Sequence, residues 1–564
     1  MYFASWTRDR EAPSAASAVA VKEEAGEVAN ALAPPPVEEE DDTELQATFE
    51  VLCTPTFKAA TCSAEAAAFV QMAREQEEAT LSAAARRRTS VSQVLVGEKL
   101  VVVGEKLAVV GCRTRSLDVH FQGTEVKDVL KQEPGSGVIA LKEAMKYFDA
   151  DFFNDSKVIS KRSLMFFESK YSTVLESVVT CTEDLAYKQA KEADDLLEQG
   201  KYLGPLHGIP YGLKDIIAVP QYNTTWGSKT FKNQVINMEA FVYKRLKSTG
   251  AVLVAKLVTG SLAYDDIWFG GRTRNPWNIE EFSTGSSAGP AASTSAGMVP
   301  FAIGSETAGS ITYPAARCGA TALRPTFGTV ARTGVMSISE SLDKLGPICR
   351  TAVDCAIVLD TIRGTDAGDP SSREIALEDP FHVDITELTV GYLDSAEMEV
   401  VKVLSAKGAK LVPFKLNYTV ESVQSILNIT MDVDMLAHFD NWQREGNDDD
   451  YEAQDQWPVE LRRARLIPAV DYVQAQRARG KLIREIQESF TVDAFIGNVT
   501  DWELVCVGNL VGMPIMVIPT GFKSIKDPPK GGTRRRTTVT TGIYAPPDHD
   551  HIVSILTPGH LIDD

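Results

Sequence analysis

Residues 304–314 read Gly-Ser-Glu-Thr-Ala-Gly-Ser-Ile-Thr-Tyr-Pro, and this run of small residues follows the apolar residues 298–303. Small side chains let backbone N–H groups approach another group closely, and they can leave a serine such as Ser310 exposed as a nucleophile. A tight turn between two core elements would explain the same composition. The stretch alone leaves both interpretations open, so the rest of the chain must decide between them.

The composition is that of a large soluble globular protein. Of its 564 residues, 44% are hydrophobic and 24% are charged. The net charge of −20 argues against nucleic acid or an anionic membrane as the main partner. No run of 18 or more apolar residues occurs, so no membrane span is expected. The eight cysteines form no C-x-x-C pair, which indicates a reducing compartment and favours a cytoplasmic location, with an organelle as the alternative.

The chain divides into an N-terminal extension, residues 1–134, and a globular domain, residues 135–564. Residues 1–45 are rich in Ala, Pro and Glu, which predicts disorder. Residues 63–85 are strong helix formers. A repeat then follows, GEKLVVV from Gly97 and GEKLAVV from Gly104, and its β-branched runs between glycine-containing turns predict a short hairpin.

The globular domain alternates helical and strand patterns, which predicts an α/β fold with a sheet covered by helices on both faces. Residues 181–202 are predicted to form an amphipathic helix, and a long helix is predicted after Pro468. The predicted buried strands are residues 251–257, 298–304, 494–498 and 513–521.

Two further stretches of the domain could carry chemistry. Residues 204–215 end in Lys214-Asp215 after an apolar run, and a desolvated lysine there would have a lowered pKa and could act as a base. A surface ion pair would explain the same dipeptide. Residues 283–289, Ser-Thr-Gly-Ser-Ser-Ala-Gly, could cradle a phosphate before a helix, but they lack both the Walker lysine and G-x-G-x-x-G spacing.

Taken together, the K-D, G-S-S-x-G and G-S-x-T-x-G-S elements resemble the amidase signature family, with Ser286 and Ser310 24 residues apart. The similarity covers roughly residues 160–522, with a signature core at about 204–350. The resemblance implies a large mixed β-sheet with helices on both faces in residues 135–564. It also relates the chain to the A subunits of glutamyl-tRNA amidotransferases and to fatty-acid amide hydrolases.

The resemblance assigns a Ser–Ser–Lys triad to this chain. Ser310 corresponds to the nucleophile, Ser286 to the bridging serine that follows a cis peptide bond, and Lys214 to the general base. The backbone N–H groups expected to form the oxyanion hole belong to Thr307, Ala308, Gly309 and Ser310. The residues in supporting positions are Gly285, Ser287, Asp215, Glu306 and Thr312. His207 is expected to support its loop and to take no part in a Ser-His-Asp triad.

Several positions depart from the family pattern. Ala308 replaces a glycine, which is tolerable if its φ is negative, and Glu306 replaces the usual Asp. Thr312 replaces an arginine, which removes a fixed positive charge and makes a carboxylate-bearing substrate less expected. Ala288 and Pro290 replace residues of the first loop. The C-terminal stretch leaves little room for the final long helix of the family.

The resemblance favours an amidase that hydrolyses a linear carbon–nitrogen bond through an acyl-enzyme intermediate and releases ammonia or an amine. Two alternatives stay open: the glutamine-hydrolysing A subunit of a tRNA-dependent amidotransferase, and a catalytically weak member that acts as an interaction protein. The expected ligand is a small-molecule amide, with no cofactor and no metal, and a homodimer is possible. The aromatic residues that would either line an acyl pocket or only pack are Trp226, Tyr264, Trp268 and Phe269.

Overall fold

The computed structural model describes residues 93–96, 99–102, 108–110, 170–379, 383–525 and 536–556. The predictions of disorder for residues 1–45 and of a helix over residues 63–85 lie outside these ranges. The same is true of the boundary between extension and domain at residues 134 and 135.

The β-strands are short, and most of them belong to the domain. In chain order they are β1 (Gln93–Val96), β2 (Lys99–Val102), β3 (Ala108–Val110), β4 (Val178–Cys181), β5 (Pro210–Lys214), β6 (Val252–Leu257), β7 (Ile267–Trp268), β8 (Gly271–Arg272), β9 (Arg274–Asn275), β10 (Asn278–Phe282), β11 (Phe301–Glu306), β12 (Thr321–Arg324), β13 (Lys344–Cys349), β14 (Thr389–Tyr392), β15 (Lys410–Pro413), β16 (Ala494–Gly497), β17 (Ile515–Ser524) and β18 (Arg536–Tyr544).

The helices range from one and a half turns to six turns. In chain order they are α1 (Lys170–Leu175), α2 (Glu183–Glu198), α3 (Phe241–Ser248), α4 (Ala288–Ser295), α5 (Thr312–Cys318), α6 (Ala352–Ile362), α7 (Met398–Ala406), α8 (Val423–Arg444), α9 (Trp457–Ala464), α10 (Ala469–Ser489), α11 (Trp502–Val511) and α12 (Asp550–Ile555). The helices predicted over residues 181–202 and after Pro468 are confirmed as α2 and α10. Among the described residues, no helix has the length and hydropathy that crossing a bilayer requires.

Eleven strands form one mixed sheet in the order β15-β14-β16-β18-β17-β12-β13-β11-β5-β6-β4. Strand β11 is parallel to β5 and antiparallel to β13, and β5 is parallel to β6. The predicted strands at 251–257, 494–498 and 513–521 are confirmed as β6, β16 and β17. The strand predicted at 298–304 is present as β11 but begins at Phe301. The predicted α/β fold with a large mixed sheet is therefore confirmed.

Helices cover both faces of this sheet, because neighbouring strand residues bury their side chains on opposite sides. Leu323 of β12 and Met516 of β17 belong to one hydrophobic cluster. Their neighbours Ala322 and Val517 belong to another. Since both clusters consist of buried side chains, the sheet is the middle layer of the domain.

The repeat near residue 100 does not form the expected hairpin between its two copies. Strand β2 belongs to the first copy and β3 to the second, and both pair with β1, which precedes the repeat. The β1–β2 pair is antiparallel and the β1–β3 pair is parallel. The hairpin therefore joins β1 to the first copy, and the two copies lie on opposite sides of β1.

The topology brings the three motifs together at one end of adjacent parallel strands. The pairing of Ile303 with Leu213 places the end of β5, Lys214, next to the middle of β11. Strand β11 continues into residues 307–311, which lead into α5. The stretch 283–287 leads directly into α4, whose residues are all buried.

We expect Gly346→Ala to destabilise the domain at the centre of this sheet. A methyl group on Gly346, opposite Gly304 in the β11–β13 pair, would lie 2.1 Å from the backbone oxygen of Leu323. Because a backbone oxygen in a central sheet cannot move aside freely, overpacking should lower the free energy of unfolding by roughly 1–3 kcal/mol. Urea titration measures the loss. The matched control is Gly521→Ala in β17, where the added methyl meets no heavy atom within 4 Å, and equal stability of the two variants would contradict the prediction.

Candidate active site

Lys214 is the last residue of β5, and its side chain is completely buried. Its Nζ donates to Ser286 Oγ at 2.7 Å and to Ser305 Oγ at 2.9 Å, with Ser287 Oγ at 3.2 Å. Burial lowers the pKa of Lys214 to about 7, although the negative charges of Asp343 and Glu306 oppose this shift. A lysine with that pKa is partly neutral near pH 7 and can accept a proton.

The surface-pair interpretation of Lys214-Asp215 is wrong. Asp215 is fully buried and forms an ion pair with Lys256, whose Nζ lies 2.7 Å from Asp215 Oδ1. The other oxygen, Oδ2, accepts the backbone N–H of Thr225 at 2.9 Å. Asp215 therefore binds a different lysine and ties the chain after β5 to the loop at Thr225.

Ser286 lies between Lys214 and the loop that carries Ser310, and the Gly285–Ser286 peptide bond is cis, as expected. Only 1% of Ser286 is exposed. Position 285 must be glycine, because a Cβ there would lie 1.8 Å from the backbone oxygen of Asp265. Ser287 accepts the backbone N–H of Ser305 at 3.1 Å and donates to its carbonyl at 3.0 Å, which connects this loop to β11.

Ser310 is half-buried at the end of the 307–310 turn. Its carbonyl accepts the backbone N–H of Ser287 at 3.0 Å, so the two serine loops are joined directly. Within residues 170–379, however, no hydrogen bond connects the side chains of Ser286 and Ser310. The structure thus brings Lys214 and Ser286 into contact and places Ser310 beside them without the final hydrogen bond.

The turn before Ser310 presents free backbone donors. In the described part of the chain, the N–H groups of Ala308, Gly309 and Ser310 donate to no other protein group. Gly309 has a φ of +89°, whereas Ala308 does not have a positive φ. The alanine that replaces the family's glycine is therefore accommodated, and the left-handed conformation falls on the glycine that remains.

Glu306 binds the residues that follow this turn. Its Oε2 accepts the backbone N–H groups of Ile311 and Thr312, each at 2.9 Å. Its Oε1 accepts Arg324 Nη1 at 2.8 Å and Asn509 Nδ2 at 2.9 Å. Burial alone would raise the pKa of Glu306, but the positive charges of Arg324 and Lys344 and the hydrogen bonds lower it to about 2. The carboxylate stays ionised and fixes the chain that follows Ser310.

Thr312 is buried as the first residue of α5, and its hydroxyl donates to the carbonyl of Gly309 at 3.3 Å. It contributes no charge where the family carries an arginine. His207 lies in the loop before β5, where Nδ1 accepts the N–H of Leu203 at 3.0 Å and Nε2 lies 2.9 Å from the carbonyl of Ala193. The expectation that His207 supports its loop is confirmed.

Three features near the triad were not foreseen from the sequence. Ser305 is the first serine of the G-S-x-T-x-G-S motif and was given no role there, yet it contacts Lys214. Thr307 Oγ1 donates to Asp343 Oδ1 at 2.6 Å, and Asp343 also accepts the N–H of Ile338 at 2.8 Å. A cavity of about 400 Å³ adjoins this side of the triad, and its wall includes Ser305, Thr307 and Asp343. Among the described residues, no group of three His, Cys, Asp or Glu could hold a metal ion.

A model of the family Amidase matches residues 167–501, which is more than half of the chain, and the chain therefore belongs to this family. The A subunit of the glutamyl-tRNA(Gln) amidotransferase of Carboxydothermus hydrogenoformans is 36% identical over 265 residues, covering 43% of this chain and 54% of the relative. The corresponding protein of Geobacillus thermodenitrificans is 41% identical over 204 residues, covering 36% and 42%. The matches thus span about half the length of these relatives.

Solved structures with the same fold cover more of the chain. The peptide amidase of Stenotrophomonas maltophilia aligns over 76% of this chain and 96% of its own, with 22% identity and a TM-score of 0.61. A bacterial aryl acylamidase of the amidase signature family covers 76% and 95%, with 18% identity and a TM-score of 0.63. The glutamyl-tRNA(Gln) amidotransferase A subunit of Thermotoga maritima covers 78% and 94%, with 20% identity and a TM-score of 0.56. These likenesses confirm the fold.

We expect the reactivity of Ser310 toward a fluorophosphonate to rise with pH through about 7, the pKa of Lys214. Below that value the protonated amine cannot accept a proton from Ser286, so the reaction at pH 6 should be roughly tenfold slower than at the high-pH plateau. The labelling rate from pH 5.5 to 9 measures this, with intrinsic fluorescence as the control for folding. A rate that is independent of pH, or a midpoint above pH 9, would contradict the assignment of Lys214 as the base.

Proposed function

We propose that this chain is an amidase that hydrolyses a linear carbon–nitrogen bond, with Ser310 as nucleophile, Ser286 as proton relay and Lys214 as general base. The observation that carries the proposal is the 2.7 Å contact between Lys214 Nζ and Ser286 Oγ in a fully buried environment. Membership of the amidase family supports the same chemistry. A pKa of about 7 is the value a general base needs near neutral pH.

The reaction begins when Ser310 Oγ attacks the amide carbonyl carbon. Its proton passes to Ser286, whose own proton passes to the neutral amine of Lys214. The free N–H groups of Ala308, Gly309 and Ser310 would stabilise the oxyanion, a contribution worth on the order of 10²–10³ in rate for a single donor. The proton then returns through Ser286 to the leaving nitrogen, the carbon–nitrogen bond breaks, and an acyl-enzyme remains.

Hydrolysis of the acyl-enzyme by water completes the cycle and uses the same proton path. The water attacks the acyl carbonyl, gives its proton through Ser286 to Lys214, and the bond to Ser310 Oγ breaks as that oxygen takes the proton back. The missing hydrogen bond between Ser286 and Ser310 would form when substrate is bound, because such contacts are often long in free enzymes.

The proposed substrate is a small amide without a carboxylate near the scissile bond. Thr312 supports this, since its hydroxyl is engaged with Gly309 and no charge replaces the family's arginine. A cytoplasmic location is proposed with it, supported by Cys318, Cys349, Cys355 and Cys506, which form no disulfide. A homodimer is the oligomer that the family resemblance favours.

Labelling with a fluorophosphonate, followed by mass spectrometry of the modified peptide, tests the triad. We expect the label on Ser310 and a loss of at least 100-fold in labelling rate for Lys214→Ala and for Ser286→Ala, since each breaks the proton path. Lys247→Ala is the control, because its ion pair with Glu239 is exposed and is not part of the hydrogen bonds around Lys214 and Ser286. Wild-type rates in Lys214→Ala would overturn the mechanism. A folded wild-type protein that does not label would favour the catalytically weak interaction protein.

A second function is favoured by the relatives themselves. Identities of 36% and 41% to the A subunits of two glutamyl-tRNA(Gln) amidotransferases favour a glutamine-hydrolysing protein that works with a partner. Such a protein would bind the carboxylate of glutamine, for which Thr312 offers no charge.

Ammonia release by the purified chain separates the two functions. We expect hydrolysis of neutral primary amides to exceed that of glutamine by at least tenfold, because glutamine brings a carboxylate without a matching cation. The released ammonia is measured by a coupled assay, with Ser310→Ala as the blank. Activity on glutamine alone, together with a stoichiometric partner that co-elutes from native cells, would instead establish the amidotransferase function.

A further inference from the structure

Residues 259–266, between β6 and β7, form a loop that we name the strap, and it packs directly against the loop that carries Ser286. The backbone N–H of Gly260 donates to the carbonyl of Ser286 at 3.3 Å. The carboxylate of Asp266 accepts the N–H of Thr284 at 2.8 Å. The carbonyl of Asp265 occupies the space where a side chain on Gly285 would lie. The strap therefore contacts both residues of the cis peptide bond.

Several residues of the strap have unfavourable backbone angles. Contacts with other parts of the domain hold the strap in this conformation. Leu262, Ala263 and Asp265 have φ values of +46°, +60° and +44°. Side-chain-bearing residues in this left-handed region are disfavoured, and they persist where the surroundings hold them. Turn hydrogen bonds within the strap join the Ala263 N–H to the Gly260 carbonyl at 2.8 Å and the Tyr264 N–H to the Ser261 carbonyl at 3.0 Å, whereas the Leu262 N–H donates outside the strap, to the Trp226 carbonyl at 2.8 Å.

Three residues on the far side of the strap, which we name the clamp, supply those contacts: Tyr451, Trp457 and Glu460. The Tyr451 hydroxyl donates to the carbonyl of Ser261 at 2.7 Å, and Trp457 Nε1 donates to the carbonyl of Leu262 at 2.9 Å. The side chains of Tyr451 and Trp457 are buried.

The strap also donates to the clamp. The Tyr264 hydroxyl donates to Glu460 Oε1 at 2.8 Å, and its ring packs edge-on against Trp457, with centroids 5.1 Å apart. Each of the strap residues Ser261, Leu262 and Tyr264 is thus joined to the beginning of α9 or to the chain before it.

We infer that Tyr451 and Trp457 are positioning residues for Ser286: they hold the strap, and the strap holds the cis serine in line between Lys214 and Ser310. This inference rests on the proposed function. The two clamp donors reach backbone carbonyls 190 and 195 residues away in sequence, so they fix the position of the strap whatever side chains it carries. Proton relay requires this, because a displacement of about 1 Å can cost 10²-fold in rate.

Each test variant removes one hydrogen-bond donor of the clamp and keeps an aromatic ring at the same position. In Tyr451→Phe and in Trp457→Phe, the strap loses one hydrogen bond, and we expect a fall of roughly tenfold in kcat with KM changed by less than about twofold. The matched control is Tyr544→Phe, which removes another buried hydroxyl that donates to a backbone carbonyl, that of Asn498. Tyr544 does not contact the strap, so its kcat should stay at the wild-type value.

A double-mutant cycle on the fluorophosphonate labelling rate shows whether the clamp acts through Ser286. In a Ser286→Ala background, Trp457→Phe should cause no further loss, since the group it positions is already absent. An additional tenfold loss in that background would overturn the inference, as would wild-type kcat accompanied only by a lower melting temperature. If Trp457→Phe does not fold, Tyr451→Phe carries the same cycle.

The outcomes also separate this inference from the proposed function. A wild-type protein that neither labels nor hydrolyses any amide would overturn the proposed function and the clamp with it. An active wild-type protein whose clamp variants match it in kcat and in the double-mutant cycle would overturn the positioning role alone.

Discussion

The proposed active site depends on the buried amine of Lys214, which forms no ion pair with any carboxylate in the described part of the chain. Removing an ammonium ion from water is costly, and the cost falls when the group is neutral. Lys214 is surrounded by the hydroxyls of Ser286, Ser287 and Ser305, which can bond to either protonation state. The central strands β5 and β11 create this environment, because they bury the end of Lys214 against the serine loops.

Two other buried cations nearby do have a carboxylate counter-ion. Lys256 meets Asp215 at 2.7 Å, and Arg324 meets Glu306 at 2.8 Å. The carboxylates of both pairs also accept backbone N–H groups, that of Thr225 for Asp215 and those of Ile311 and Thr312 for Glu306, so both pairs fix the backbone. These paired charges hold the loops in place, whereas Lys214 meets the hydroxyls of Ser286 and Ser305, as its proposed role of general base requires.

Much of this arrangement could be predicted from the sequence, because short motifs carry the residues of the proposed triad and the cis bond, and hydrophobic patterns mark many of the helices and strands. The partner of Asp215 could not, since adjacent residues at the end of a strand point to opposite sides and find different partners. Nor could the pairing of β1 with the two copies of the repeat, because β1, β2 and β3 have nearly the same β-branched composition. Glu306 meets Asn509 across 203 residues of chain, and nothing in the local composition of either residue marks such a contact.

The close approach of the Asp265 carbonyl to Gly285 limits which segments can be exchanged between related proteins of this family. The two loops pack so closely at this point that a single added carbon on Gly285 would collide with the backbone of Asp265. A chimaera that takes only the Ser286 loop, or only the strap, from a related protein would bring together two loops whose backbones do not fit each other. Recombination within this family should therefore succeed when crossover points lie outside residues 259–287, so that both loops are inherited from one parent.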